Sequence, residues 1–258
     1  MINLLRAEFR RLLKSKALIV APIVATVLVL FSALVLSMSD ASAGAEVPGA
    51  LVRYTSTAHD LIAGAAMDGN LILFVILFAA LFVASDFKSG TVKNAVVCGA
   101  PKPFIYLSRL ITVFVFGIGL LFVCIIAATI FGYALMPRSP AFSAEEVASF
   151  FRGLFINIWI VAAMASICTC LSFLVRSTGA AITISVVFYF ALSLIVLLIS
   201  LLSGTNVSIY TLSGIQSIAT ALGEYQTEEI LSVVLVPLSL IILSNLLGIL
   251  SFEKRDVK

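Results

Sequence analysis

Long runs without a charged residue divide this chain into apolar segments joined by polar ones. The charge-free runs cover residues 17–39, 69–85, 110–137, 153–175, 177–223 and 230–252. All but 69–85 exceed the ~20 residues that a helix needs to cross ~30 Å of hydrocarbon. The short run reaches that length by borrowing Ala65, Ala66 and Met67 across Asp68. Because backbone groups in lipid must be hydrogen-bonded internally, runs of this length predict helices.

The pattern therefore predicts an all-α membrane protein whose residues 1–258 form one transmembrane domain with six transmembrane helices. An N-terminal amphipathic elbow helix is expected over 1–16. The spans are expected at about 17–38, 65–85, 106–136, 153–175, 179–202 and 230–252. The run 177–223 is too long for one span, and its polar second half predicts an external helical segment over 203–229. Thr57 followed by Asp60 predicts a short helix in the other long external segment, 39–69.

The predicted elbow helix has a polar and an apolar face. Arg6, Arg10 and Lys14 share one side with Asn3, whereas apolar side chains occupy another. A helix of this kind lies in the plane of the lipid headgroups, with its cations facing anionic lipid. The alternative is an ordinary basic flank that sets the topology, and the two interpretations are compatible.

Composition and charge place the protein in a membrane and orient it. The chain is 62% hydrophobic and 11% charged, against about 25% charged residues in soluble proteins. Thirteen of the sixteen Lys and Arg residues lie in the termini and in the loops after spans two and four. Nine of the thirteen acidic residues lie in the remaining loops. The positive-inside rule then predicts a multi-pass protein of the cell membrane with both termini in the cytoplasm.

Several chemistries are not supported by any motif. The chain has no G-x-x-x-x-G-K phosphate loop, no H-E-x-x-H motif, and no His or Lys in a span to activate a nucleophile. We therefore expect no enzymatic activity, no metal site and no cofactor in this chain. The charge-free spans also lack the intramembrane acids that mark ion-coupled transport, so any transport work is expected to be powered from outside.

The loop between the second and third spans predicts a short helix. Thr91 is placed to cap it, and the helix is expected to end near Gly99. Val92, Ala95 and Val96 would form a small apolar face with basic flanks. Such a face suits docking into the groove of a partner protein. A helix lying on the membrane surface is the alternative, and the sequence does not separate the two.

This loop resembles the first cytoplasmic loop of the ABC type-2 exporter permeases, the membrane subunits of ABC transporters. The matching positions are Asp86, Gly90, Thr91 and Arg109, although the family usually has Glu where Asp86 stands. Residues 174–181, with Arg176 near their start, resemble the family's tight turn between spans four and five. The resemblance covers the whole chain in layout.

The resemblance implies a half-transporter that pairs with a second copy or a paralogue. A separate nucleotide-binding subunit would bind ATP and Mg and supply the motion. A coupling helix at about 90–99 would dock on that partner, close to the elbow helix. The residues implied in partner binding are Asp86, Gly90, Thr91, Val92, Lys93, Ala95, Val96, Arg109 and Arg176.

The cargo is expected to be amphipathic or hydrophobic: a peptide, a lantibiotic or a drug. Phe74, Phe78 and Phe82 recur at helical spacing and are candidates for lining the pathway, although packing or lipid contact is the alternative. A lipid or polysaccharide ABC exporter is the second hypothesis. An ion-coupled secondary transporter is a third, and it would need an intramembrane acid or broken helices. Pro237, Gly117 and Gly119 are the positions that could interrupt a helix.

Overall fold

The computed structural model describes residues 2–43, 58–66, 70–135, 144–203 and 227–254, and every element in these ranges is an α-helix. In chain order they are α1 (Ile2–Lys14), α2 (Ala17–Ala43), α3 (Ala58–Ala66), α4 (Asn70–Lys88), α5 (Thr91–Val97), α6 (Lys102–Leu135), α7 (Ala144–Val175), α8 (Thr178–Ser203) and α9 (Thr227–Lys254). The predicted all-α class is confirmed for the described residues. The predicted external segment 203–229 lies almost entirely outside them.

Five of these helices are long and apolar enough to cross a membrane, which supports a multi-pass membrane protein. Their apolar stretches are Ala17–Met38, Leu71–Lys88, Lys102–Leu135, Phe150–Val175 and Val233–Lys254. The remaining predicted span, 179–202, lies within α8. This helix has 26 residues and carries no charged side chain. The short helix expected in the external segment 39–69 is α3, although its predicted capping residue Thr57 lies outside the described residues.

The second span extends beyond its charge-free run at its C-terminal end, and not at the N-terminal end where the sequence predicted the extra residues. Ala65 and Ala66 belong to α3, and α4 begins at Asn70. At its other end α4 continues beyond the charge-free run, through Asp86 to Lys88. The third span likewise begins at Lys102 and includes Arg109. A charge therefore did not mark a helix end, because both buried charges are neutralised within the bundle.

Helices α4 and α7 form the centre of the bundle. About two thirds of the apolar stretch of α7 is buried, against 17% of those of α2 and α9. Helix α7 packs against α9, α4, α6 and α8, and its buried side includes the small side chains Ala163, Ala165 and Cys168. Small residues let apolar helices approach closely where no hydrophobic effect drives them together.

Polar side chains join the helices in the interior. The hydroxyl of Tyr106 donates to Asn245 Oδ1 at 3.1 Å, and Asn245 Nδ2 donates to Ser166 Oγ at 3.3 Å. This relay links α6, α9 and α7, which is the usual role of a neutral polar side chain between membrane helices. Ser172 on α7 instead donates to the carbonyl oxygen of Cys168 in its own helix, at 2.7 Å.

The glycines and proline considered as helix interruptions lie inside continuous helices. Gly117 and Gly119 fall in α6, and Pro237 falls in α9. Gly117 is required for packing, because a Cβ atom there would lie 2.6 Å from Val161 Cγ1 and 3.1 Å from Val75 Cγ2. At Gly117, helix α6 therefore approaches both central helices so closely that no side chain fits between them.

The close contact at Gly117 can be tested with two alanine substitutions in α6, one at Gly117 and a control at Gly119. We expect Gly117→Ala to destabilise the protein by about 1–3 kcal/mol, because overpacking forces neighbouring helices apart. Gly119→Ala should be neutral or slightly stabilising, because nothing lies within 4 Å of its Cβ position and alanine favours helix. Thermal unfolding in detergent measures both, and equal melting temperatures would contradict this account of the contact.

Candidate functional site

Most of the basic side chains that the structure describes gather at one end of the bundle, which we call the basic end. It comprises α1, the last turn of α4, α5, the first turns of α6, the α7–α8 turn and the last turn of α9. Lys102 Nζ donates to the carbonyl oxygen of Glu253 at 3.0 Å and so ties α6 to α9. The rings of Tyr106, Phe173 and Phe252 pack together, with ring centroids 5.0 and 4.9 Å apart. This end is therefore a packed surface built from six elements.

Two acids and two arginines form a buried cluster within the basic end, which we call the four-charge cluster. Its members are Glu8 and Arg11 of α1, Asp86 of α4 and Arg109 of α6. Arg109 pairs with Glu8, and its Nε lies 2.7 Å from Asp86 Oδ2. Arg11 pairs with Asp86 and lies 3.9 Å from Glu8. The charges sum to zero, as a buried set in a poorly polarisable interior requires.

The cluster is closed on one side by an aromatic ring. The guanidinium carbons of Arg11 and Arg109 lie 4.5 and 5.9 Å from the ring centroid of Phe82. Arg11 also donates to the carbonyl oxygen of Phe82 and to Ser85 Oγ, each at 3.4 Å. Cation–π contacts gain strength where water is excluded. Helix α4 thus offers the arginines an acid, a hydroxyl and a ring within two turns.

This cluster corrects two expectations from the sequence. The expectation that no span contains a buried charge is wrong, since Asp86 is completely buried and Arg109 is 2% exposed. Because Asp86 and Arg109 are both buried, neither side chain is exposed for direct contact with a partner protein. Their role in the described chain is to hold α4 and α6 to each other and to α1.

Helix α1 occupies the residues predicted to form an elbow helix, but its inward face differs from the one expected. Arg6, Arg10 and Lys14 are exposed together, as predicted. Leu12 is buried, whereas Leu13 is 68% exposed. The inward face also carries Glu8 and Arg11, which the sequence analysis did not single out. Their signal was the spacing of Glu8 between Leu4 and Leu12, which places an acid on the apolar side of the helix.

Glycines at both ends set the geometry of α5. Gly90 precedes the helix with φ 71°, and Gly99 follows it with φ 82°. The N–H groups of Gly99 and Ala100 bond to the carbonyl oxygens of Val96 and Ala95, which is a Schellman motif. The predicted end near Gly99 is confirmed. Thr91 does not cap the helix, because Gly90 is the N-cap and the Thr91 hydroxyl lies 2.7 Å from that of Ser89.

The apolar face of α5 points into its own chain. Val92 is 1% exposed, and Ala95 and Val96 are partly buried against the core. Lys93 and Val97 point outward, and Val97 is 85% exposed. The expectation that Val92 forms part of an open docking face is wrong, because that side chain holds α5 against the bundle. The surface open to a partner lies on the other side of the helix.

A cleft of about 530 Å³ separates α5 from the α7–α8 turn, and we call it the basic cleft. Lys88, Lys93 and Arg176 line it, with Phe87 and Val92 between them. Arg176 has the left-handed backbone angle φ 57°, and its guanidinium carbon lies 5.5 Å from the Phe87 ring centroid. A non-glycine residue in this region costs on the order of 1–3 kcal/mol. The predicted tight turn at 174–181 is confirmed, and it brings Arg176 close to α5.

The phenylalanine stripe on α4 belongs mainly to the core. Phe78 and Phe82 are 3% and 6% exposed. Phe78 stacks on Phe116 with ring centroids 3.7 Å apart and on Phe82 at 5.1 Å. Phe74 is partly buried at the edge of the same core. This arrangement favours helix packing, the alternative to a pathway lining.

Comparison with known proteins gives one family. The model of a family described as "Protein of unknown function (DUF2705)" matches residues 27–258. No curated protein matches the chain at a significant level.

Breaking the four-charge cluster should destabilise the protein strongly. Arg109→Gln leaves Glu8 and Asp86 with only the partly exposed Arg11, and we expect a loss of about 3–5 kcal/mol. Thermal unfolding in detergent measures the loss, and faster tryptic cleavage after Arg6 or Arg10 reports release of α1 from the bundle. The exposed Lys88→Gln is the matched control and should change neither.

A double substitution separates the cluster from a simple packing effect. The Glu8→Gln/Arg109→Gln variant should lose less free energy of unfolding than the two single variants lose in sum. The reason is that the Glu8 charge, which Arg109 neutralises in the wild type, is then absent as well. Strictly additive losses, or an Arg109→Gln variant as stable as the Lys88→Gln control, would contradict the cluster as the link between α1 and the bundle.

Proposed function

Given that the chain belongs to the DUF2705 family, we propose that this member is the permease half of an ATP-driven exporter of the ABC type-2 kind. In this proposal the chain is a transport subunit and not an enzyme. Two copies, or two paralogues, pair in the cell membrane with both termini in the cytoplasm. A separate subunit binds Mg and hydrolyses ATP.

The four-charge cluster is the observation that carries the proposal. Helix α5 is joined to α4 through Ser89 and Gly90, and a few residues further along the chain continues into α6. The cluster ties those same two helices to each other and to α1. A displacement applied to α5 would therefore move α1, α4 and α6 together. Such a rigid link suits a subunit that receives mechanical work from a partner.

The outward side of α5 is the surface we assign to the ATPase subunit. Lys93, Asn94 and Val97 are exposed there, and Val97 offers an apolar anchor between polar neighbours. Val92 packs the opposite side of α5 against the bundle. A force applied to the exposed side of α5 would therefore move the bundle together with the helix. The glycine at each end sets the direction of the helix through the backbone alone.

The proposed cargo is an amphipathic or hydrophobic molecule such as a peptide, a lantibiotic or a drug. A groove of about 440 Å³ between α7 and α9 supports this class. Phe155 and Trp159 stack there with ring centroids 6.5 Å apart, and the exposed Arg152 adds a cation. A lipid would satisfy the same chemistry, so a lipid exporter is the second candidate for the cargo.

Ion-coupled transport is favoured by one observation, the burial of Asp86 within a span and of Glu8 beside it. Intramembrane acids mark proton pathways in transporters. Each of these acids faces an arginine, however, and Asp86 lies only two residues before the end of its apolar stretch at Lys88. Coupling-ion sites in transporters lie near the bilayer midplane, which this position does not reach.

Co-expression with a candidate nucleotide-binding ATPase subunit, sought first in the adjacent reading frames, tests the function. We expect a stable complex with vanadate-sensitive ATP hydrolysis. Lys93→Glu combined with Val97→Asp should abolish the complex while leaving the fold intact, because both side chains are exposed. Lys14→Glu is the matched control, an exposed cation on α1 that should leave the complex intact.

Two results would contradict the proposal. One is an ATPase that binds the Lys93→Glu/Val97→Asp variant as tightly as the wild type. The other is solute uptake by the chain alone along a proton gradient, lost in an Asp86→Asn variant that still folds. The second result would establish the ion-coupled alternative instead.

A further inference from the structure

The basic cleft concentrates positive charge in a recess. Lys88, Lys93 and Arg176 line it, and no described lining residue is a carboxylate. Its volume of about 530 Å³ lies within the ~300–1,000 Å³ range of small-molecule sites. Like charges gathered in a recess repel one another, so an anion bound among them stabilises the arrangement. The recess therefore suits a group that carries negative charge.

The backbone adds to the positive field of the cleft. Thr178 and Gly179 also line it, and they open the 26-residue helix α8. The N–H groups of a first helical turn have no acceptor within the helix, and they carry the positive end of its dipole. A phosphate oxygen is the acceptor that such groups accommodate well.

The position of the cleft relative to the spans indicates where the anion comes from. Lys88 is the last residue of one apolar stretch, and Arg176 directly follows Val175, the last residue of another. Residues at the end of a span lie at the depth of the lipid headgroups. Phe87 and Val92 line the same cleft and keep part of it apolar. Beyond the cleft, α8 exposes Ile184 and Val187, against which acyl chains can lie.

We infer that the basic cleft binds the phosphate of an anionic membrane lipid, with Lys88, Lys93 and Arg176 around the headgroup. Basic pockets between transmembrane helices at the anionic leaflet bind headgroups of this class. The inference does not require the proposed exporter function, because it requires only that the basic end face an anionic leaflet. Lys93 belongs both to the cleft and to the surface assigned to the ATPase subunit, whereas Lys88 and Arg176 belong to the cleft alone. A free phosphate compound and an acidic surface of a partner protein are the competing occupants.

Native mass spectrometry of the detergent-purified full chain tests the inference. The probes are dioleoylphosphatidylglycerol, dioleoylphosphatidylcholine and inorganic phosphate, each titrated alone. We expect tight binding of the phosphatidylglycerol only. Each cation removed should weaken it about fivefold, as follows from ~1 kcal/mol per basic residue near an anionic surface. The variant Lys88→Gln/Lys93→Gln/Arg176→Gln should therefore bind on the order of a hundredfold more weakly.

A charge-matched control separates the cleft from general surface attraction. Lys14→Gln/Lys16→Gln/Lys254→Gln removes three exposed cations outside the cleft and should keep the wild-type affinity. The double variant Lys88→Gln/Lys93→Gln changes only exposed side chains, so it remains informative if substitution of Arg176 disturbs the turn. It should bind phosphatidylglycerol about 25-fold more weakly.

Three outcomes would overturn the inference. Equal losses in the cleft and control variants would mean surface attraction without a site. Saturation by inorganic phosphate at the concentrations that suffice for the lipid would assign the cleft to a soluble phosphate compound. A cleft variant that keeps its lipid but loses the co-expressed ATPase would assign the cleft to the partner protein.

Discussion

Neutralisation of buried charge is the constraint on which the basic end depends. Asp86 and Arg109 lie inside helices that are otherwise apolar, and neither charge is tolerated there alone. Pairing them with each other leaves lone pairs and N–H groups unsatisfied, and α1 completes the set with Glu8 and Arg11. Helix α1 is therefore held by ion pairs and not only by its apolar side. The positions of α4 and α6 then fix α5, and α5 in turn forms one wall of the basic cleft.

Close packing and hydrogen bonds, and not ion pairs, hold the rest of the bundle together. Away from the cluster, α7 contacts its neighbours through small side chains, and α6 approaches α4 and α7 at Gly117, where no side chain intervenes. Such contacts depend on shape and tolerate little change in volume. The relay from Tyr106 through Asn245 to Ser166 adds direction, because hydrogen bonds fix the rotation of a helix as well as its distance. Charge therefore organises one end, and close packing organises the middle.

The sequence predicted the elements better than their contacts. Hydrophobic run length located the helices, because a span must be long and apolar whatever it packs against. It misjudged Asp86 and Arg109, because whether a charge ends a helix depends on partners distant in sequence. Residue type showed that Val92 is apolar but not which way it points, since an apolar face suits a partner and the protein's own core equally well. The basic cleft was invisible for a similar reason: Lys88, Lys93 and Arg176 come together only through the α7–α8 turn.

The four-charge cluster also bears on the order in which the chain enters the membrane during synthesis. Arg11 leaves the ribosome long before Asp86, and Arg109 leaves it shortly after Asp86. The partner of Asp86 on α1 is therefore synthesised before α4 itself. Arg109 then enters beside an acid already in place, and Glu8 completes the neutralisation. Asp86 can therefore be neutralised by α1 before α6 has been synthesised, and the same ion pairs then persist in the folded bundle.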